Sequence, residues 1–322
     1  MKSKIVEIAA DASFRKFYRI TLNKKSKILI LSKKDKHRNL FIYASINKFL
    51  KSHNILTPKL FEHNFKKGRI LIEDFGGKSF YKVLIKQKNK FKTYKKIIDL
   101  LVKIQKIKPK YTIKNINNKS FVINKYTNDY LHQESNLFFD WYFPLIFNNK
   151  KTIFLKKKIK KILSKLYKKI NFPNSHFVHR DYHVENLIKV GNKIGVIDSQ
   201  DALIGNPAYD LASIVDDVRI KTSKNLKDKI YKYYLKKSPK IYQTNQKKFN
   251  EDFSILSVQR SLKIIGIFCR LFKRDKKNKY LKFIPYAWKL IEFRLKDKIF
   301  SDLKEILDCE INKKIRNKNI FK

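Results

Sequence analysis

His179-Arg180-Asp181-Tyr182-His183-Val184-Glu185-Asn186, followed twelve residues after the asparagine by Asp198, is the stretch that decides how this chain folds and what chemistry it can carry. Its defined positions follow H-R-D-x-x-x-x-N, a spacing with a physical basis in phosphoryl transfer. One carboxylate must accept the proton of the acceptor hydroxyl, while an amide oxygen and a second carboxylate hold magnesium against a triphosphate. The pattern makes Asp181 the expected base and Asn186 and Asp198 the expected ligands of Mg2+, with ATP as donor. His179 and His183 stand four apart, but a zinc pair of that spacing needs a glutamate directly after the first histidine and a helix around both. Arg180-Asp181 occupy a loop instead. His179 is therefore expected to hydrogen-bond within the loop and hold it, and His183 to be either a satisfied polar group or one facing the substrate.

Outward from the loop, the periodicity changes along the chain. Phe17 to Ile20, Ile28 to Leu31 and Ile70 to Ile72 read as antiparallel strands, and Leu40 to Leu50 carries apolar residues at helical spacing between them. Gly76-Gly77 marks the point where strand periodicity stops. Beyond it, Phe91 to Ile107, Ile153 to Ile170, Leu226 to Leu235, Phe253 to Phe272 and Tyr280 to Phe300 read as helices. Phe177-Val178 and Gly195 to Ile197 flank the polar loop and predict a tight β-pair within the helical part. The expectation is an α+β, protein-kinase-like two-lobe fold. A small antiparallel β-rich lobe spans 1–75 and a larger, mainly helical lobe spans 76–322.

Composition narrows the partners. Hydrophobic residues at 43% and aromatics at 14% are too many for a disordered chain. Lys and Arg number 76 against 27 acidic residues, a formal charge of +49, which would suit a polyanion if it were clustered. The lysines are instead dispersed and interleaved with apolar residues at helical spacing. Gly and Pro are scarce, as codon bias in an AT-rich genome would produce, so the charge reads as solvated helix faces. Two cysteines, Cys269 and Cys309, exclude a disulfide scaffold. Without a signal peptide or a long uncharged apolar run, the reading is a cytoplasmic monomer acting on a small molecule, with no specific nucleic-acid or membrane partner.

Further candidates surround the loop. Asp201 follows Asp198 as a polar group facing the substrate. Asp210 enters a helix whose first turn suits Pro207 and is expected to support the catalytic loop. Before the first clear strand, Asp11-Ala12-Ser13-Phe14-Arg15 stands where a glycine-rich phosphate cover would lie. It has no glycine, so Ser13 and Arg15 are the groups expected at the phosphates.

Taken together, DASFRKFYR (11–19), LIEDFG (71–76), FDWY (139–142), the loop at 177–186, GVIDSQDALIGNPAYDLA (195–212) and RSLKIIGIFCR (260–270) resemble the aminoglycoside phosphotransferase-like kinases. Within that family they are most similar to the bacterial anomeric kinases of N-acetylmuramate and N-acetylglucosamine that serve cell-wall recycling. The resemblance spans nearly the whole chain. It implies transfer of the nucleotide γ-phosphate to a C1 hydroxyl, acidic enough for Asp181 to serve without a shifted pKa. It also implies adenine against the backbone around Glu73 and Asp74, and the sugar near Glu134 and Trp141. The chain departs from the protein-kinase pattern in one respect: Leu40 to Leu50 holds no acidic partner for a strand lysine, and neither Lys27 nor Lys33 can be given that role. Other acceptors of the aminoglycoside, choline or homoserine type remain open, as does a nonenzymatic polyanion-binding protein on the same fold.

Overall fold

Ile28 and Ile30 alternate with less buried neighbours on one strand, and Ile70 and Ile72 do the same on another, so pairing the strands buries four branched side chains on one face. The computed structural model describes residues 4–8, 15–33, 37–108 and 111–317, in two compact units: Met1–Asn124 with His176–Ile204, and Lys125–Ser175 with Gly205–Lys322.

The first unit holds a five-stranded antiparallel sheet in the order β1-β2-β3-β5-β4. Its strands are β1 (Lys4–Ile8), β2 (Lys16–Leu22), β3 (Lys25–Leu31), β4 (Leu60–Asn64) and β5 (Arg69–Glu73). Asn23 and Lys24 join β2 to β3, both in the left-handed region at φ 48° and 64°, as a tight hairpin turn requires. Helix α1 (His37–Ser52) interrupts the sheet, and its Leu40 and Tyr43 close the cluster of isoleucines. Gly76 (φ +79°) ends the sheet, and α2 (Phe80–Leu84), α3 (Phe91–Lys106) and the small pair β6 (Thr112–Lys114) and β7 (Ser120–Val122) complete the amino-terminal part. The catalytic loop belongs to this same unit, between β8 (His176–Val178) and a hairpin of β9 (Leu187–Val190) and β10 (Lys193–Val196). The β-pair foreseen beside the loop thus packs with the sheet rather than within the helical unit.

The second unit is helical: α4 (Asn128–Leu137), α5 (Asn149–Lys168), α6 (Ala208–Val215), α7 (Lys224–Lys237), α8 (Lys240–Thr244), α9 (Gln246–Lys273), α10 (Ile284–Arg294), α11 (Ser301–Glu310) and α12 (Lys313–Asn317). Helix α9 is buried along most of its length and carries α4, α6 and α10. Among the described residues no helix is long and apolar enough to cross a membrane.

One expected helix is corrected. Tyr280 to Phe300 is not continuous: a 3-10 turn (Asn278–Phe283) precedes α10 and another (Lys298–Phe300) follows it. Pro285 stands in the first turn of α10, where its missing N–H is harmless but where no helix can run through it. At the far end Asp297 accepts the Ile299 N–H at 3.2 Å and starts a new turn.

Gly266 explains how α9 reaches its neighbour. A methyl group added there would overlap the backbone carbonyl of Leu137 and the nitrogen of Phe138, where α4 widens into the π-helical turn Phe138–Tyr142. Gly266→Ala is expected to cost about 3 kcal/mol of stability, read as a lower urea midpoint at unchanged slope. A wild-type midpoint would contradict this packing.

Candidate active site

The catalytic loop is held at several points. Tyr182, fully buried, donates its hydroxyl to the Ile97 carbonyl on α3 at 2.8 Å. The Tyr81 N–H reaches the Val184 carbonyl at 3.1 Å, and the Lys189 N–H reaches the Lys78 carbonyl at 2.9 Å. His179 is fully buried, and its Nε2–H donates to the Ile197 carbonyl at 3.0 Å, which ties the start of the loop to the residue before Asp198. The Ile197 N–H in turn reaches the Asn186 carbonyl at 3.1 Å. His179, Asp181, Asn186 and Asp198 are thereby brought into one constellation, although eleven residues, most of them hairpin, separate the last two.

Within the loop, the Asp181 carbonyl accepts both the His183 N–H at 2.9 Å and the Asn186 amide nitrogen at 3.0 Å. With its nitrogen engaged, the Asn186 amide directs its oxygen away from that carbonyl. His183 is buried, and its Nε2 lies 3.4 Å from the Asn186 amide nitrogen. Arg180 (φ +70°) and Asp198 (φ +65°) are both left-handed, a conformation costing a non-glycine residue about 1–2 kcal/mol and concentrated at functional sites. Their placement on either side of the loop aims the neighbouring side chains rather than lengthening a strand.

Asp198 and the residue after it are each bound by a residue from the amino-terminal part. Arg15, 6% exposed, places Nη2 2.5 Å from Asp198 Oδ1 and Nη1 3.1 Å from Gln200 Oε1. Ser199, fully buried, donates to Asn47 Oδ1 on α1 at 2.8 Å. Beside Asn47, burial pushes the Tyr43 hydroxyl up to about 12. Asp201 is exposed, its carboxylate accepting the Gln200 amide at 2.9 Å and its carbonyl accepting Arg180 Nη1 at 3.1 Å.

Asp74 and Glu73 close the sheet side. Glu73 accepts the Lys59 N–H at 3.1 Å. The Asp74 carboxylate is enclosed by Arg19 Nε (2.5 Å) and Nη2 (3.0 Å), Ser26 Oγ (2.8 Å) and the Gly76 N–H (2.8 Å). These bonds shape the strand end. Burial acts to raise the Asp74 pKa, but the bonds from Arg19, Ser26 and Gly76 outweigh it and hold the carboxyl below its usual range. A carboxylate depressed on folding contributes stability above its unfolded pKa of about 3.9 and loses it as pH falls through the folded value. Asp74→Asn is therefore expected to cost about 1.5–3 kcal/mol at neutral pH, with the gap to wild type narrowing below pH 4. A gap independent of pH in denaturant titrations would contradict the charge-assisted role.

Ser13 lies outside the described residues. Asp210 is fully buried in the first turn of α6, where a carboxylate complements the helix dipole. Glu134 is buried among Lys263 Nζ (2.7 Å), Gln259 Nε2 (3.0 Å) and the hydroxyls of Tyr209 (3.2 Å) and Tyr126. Trp141 sits in the π-helical turn, partly exposed. Sequence reading passed over Gln200 and Asn47. Gln200 lies between two aspartates already singled out, and Asn47 stands in the helix whose lack of an acid was already evident.

Asp198 and Asn186 offer hard oxygen donors, the kind Mg2+ accepts one or two at a time while keeping waters and phosphate oxygens. Among the described residues no group of three His, Cys, Asp or Glu stands together as a metal cage. The donor set fits magnesium.

A sheet unit carrying a held H-R-D-x-x-x-x-N loop, a following metal-type aspartate and a helical unit define a phosphoryl-transfer enzyme of kinase-like fold. Residues 4–243 match the model of the phosphotransferase enzyme family, and the chain belongs to that family, whose members pass a phosphoryl group to a hydroxyl acceptor. An N-acetylmuramate/N-acetylglucosamine kinase of Neisseria meningitidis serogroup B is 26% identical over 86% of this chain and 81% of its own length. The enzyme of that name from Pseudomonas aeruginosa is 26% identical over 90% and 83%. Among solved structures, Plasmodium vivax ethanolamine kinase is similar at a TM-score of 0.60 and 14% identity, covering 91% of this chain and 82% of that one. An ADP-bound aminoglycoside phosphotransferase reaches 0.57 at 15% identity, covering 90% and 92%. At these identities the structures speak for the fold alone.

Proposed function

We propose that this protein uses Mg-ATP to phosphorylate the anomeric C1 hydroxyl of N-acetylmuramate or N-acetylglucosamine in the cytoplasm, in recycling of the cell wall. The observation that supports the reading is the held loop, in which the Asn186 amide bonds the Asp181 carbonyl and the Ile197 N–H bonds the Asn186 carbonyl, which keeps the proposed base and the two proposed oxygen donors close in the fold. The names of the relatives, matched over more than four-fifths of both chains, support the amino-sugar acceptor.

Asp181 takes the proton of the attacking hydroxyl as the new oxygen–phosphorus bond forms and the bond from the γ-phosphorus to the bridging oxygen breaks, with ADP as the leaving group. His179 keeps the loop registered against Ile197, so the base does not drift from the two donors. Asn186 and Asp198 would hold the magnesium ion, which neutralises charge on the phosphates when bound. Backbone groups around Glu73 and Asp74 face the adenine. For the sugar we assign Trp141, whose ring retains open surface suited to a pyranose face. The Glu134 oxygens already serve Lys263, Gln259 and two tyrosines, which favours an indirect part for that carboxylate.

A coupled assay of ATP consumption across N-acetylmuramate, N-acetylglucosamine, choline, homoserine and an aminoglycoside tests the acceptor. The reading expects turnover with the two N-acetylated sugars. Preference for another acceptor, or steeply salt-dependent polyanion binding without turnover, would overturn it.

A further inference from the structure

In phosphotransferases of kinase-like fold a lysine on a central strand, paired with a helix glutamate, grips the nucleotide phosphates. Here that strand is β3 and that helix α1, and neither supplies its half of the pair. Lys27, on β3, is exposed, with its ammonium 4.5 Å over the Phe61 ring. Beside the metal-type aspartate α1 presents the buried amide of Asn47, whose oxygen accepts Ser199.

A different cation occupies the place where the phosphates must come. Arg15 enters from the chain just before β2, is 6% exposed, and holds Asp198 Oδ1 at 2.5 Å. Its guanidinium is fixed on two sides, by Gln200 Oε1 at 3.1 Å and by the Phe17 ring 5.5 Å from Cζ. Gln200 is itself fixed by Asp201 through its amide at 2.9 Å. A buried arginine whose fork is oriented by two neighbours is preorganised for bidentate contact with phosphate oxygens.

We infer that Arg15 is the phosphate-positioning cation of this enzyme, replacing the strand lysine, with Gln200 as the residue that sets its orientation. The inference rests on the nucleotide-dependent function proposed above. A phosphate drawn to a metal on Asp198 arrives within reach of the guanidinium bonded to that carboxylate. The arginine thereby couples nucleotide and metal without a helix glutamate.

The test is binding, without sugar and without turnover, of adenosine, ADP and ATP to the whole protein by calorimetry. Wild type is expected to bind ATP far more tightly than adenosine. Arg15→Gln should weaken ATP and ADP about tenfold to a hundredfold, as expected for losing a charge-assisted contact, with adenosine unchanged. Gln200→Ala should weaken ATP and ADP about threefold to tenfold, again with adenosine unchanged, and covers the case in which Arg15→Gln does not fold. Equal losses for adenosine and ATP, or unchanged ATP affinity in both variants, would overturn the assignment. Unchanged ATP affinity together with intact sugar phosphorylation would sink the Arg15 role alone. A wild type that binds no nucleotide would sink the proposed function with it.

Discussion

Asp181→Asn is expected to lower kcat about a hundredfold to ten-thousandfold, the contribution of a positioned general base, while leaving nucleotide affinity and fold in place. The loop's own bonds make this separation possible. Both the His183 N–H and the Asn186 amide bind the backbone carbonyl of Asp181, and an isosteric amide at the side chain leaves these two bonds in place. His179 continues to hold Ile197 from a neighbouring position. The asparagine retains the size of the aspartate but cannot take the hydroxyl proton, so the loss should fall on kcat with little change in KM for ATP. Full activity in the variant would remove Asp181 from the chemistry, and loss of the folded state would show that the carboxylate is structural.

The second large effect is on stability. Asp216, at the end of α6, is fully enclosed with Lys227 Nζ at 2.8 Å, Arg294 Nε at 2.9 Å and Ser257 Oγ at 2.5 Å. Lys227 is itself buried, and Arg294 lies 4.5 Å over the Phe253 ring. Burial alone would raise the Asp216 pKa, but the two cations and their hydrogen bonds reverse that and hold it far below the ordinary carboxylate range. Removing the charge strands two buried cations. Asp216→Asn should therefore cost about 3–5 kcal/mol, a large part of the roughly 5–15 kcal/mol that keeps a protein folded. The depressed pKa fixes the pH sign: the stabilisation is complete above about pH 4, where the unfolded group is ionised, and fades as pH falls toward the folded value. Denaturant titrations at neutral and acid pH check both parts. A cost below 1 kcal/mol at neutral pH would mean that solvent reaches the cluster.

The sequence showed the sheet where burial has a period of two, at Ile28, Ile30, Ile70 and Ile72, because one face alone meets the core. It did not show β1, whose residues Lys4 to Glu7 are all exposed at the sheet edge and leave no such alternation. The reading extended a helix from Tyr280 through Pro285 since the apolar spacing continued, although the ring permits only a start. At the site, contiguous residues were legible: the loop from His179 to Asn186 states its chemistry locally. Arg15 is legible as a group for the phosphates, but its bond to Asp198 is not, since the two lie 183 residues apart and only the fold makes them neighbours. The close approach at Gly266 was hidden likewise, because the constraint is the backbone of Leu137 and Phe138, far off in the chain.

The most direct measurement of the central claim is the position of the phosphate in the product. Purified protein with Mg-ATP and N-acetylglucosamine should give a product whose phosphorus couples to the anomeric proton in NMR, and N-acetylmuramate should give the same. Phosphate on any other hydroxyl, or ATP left unconsumed with both sugars, would contradict the account.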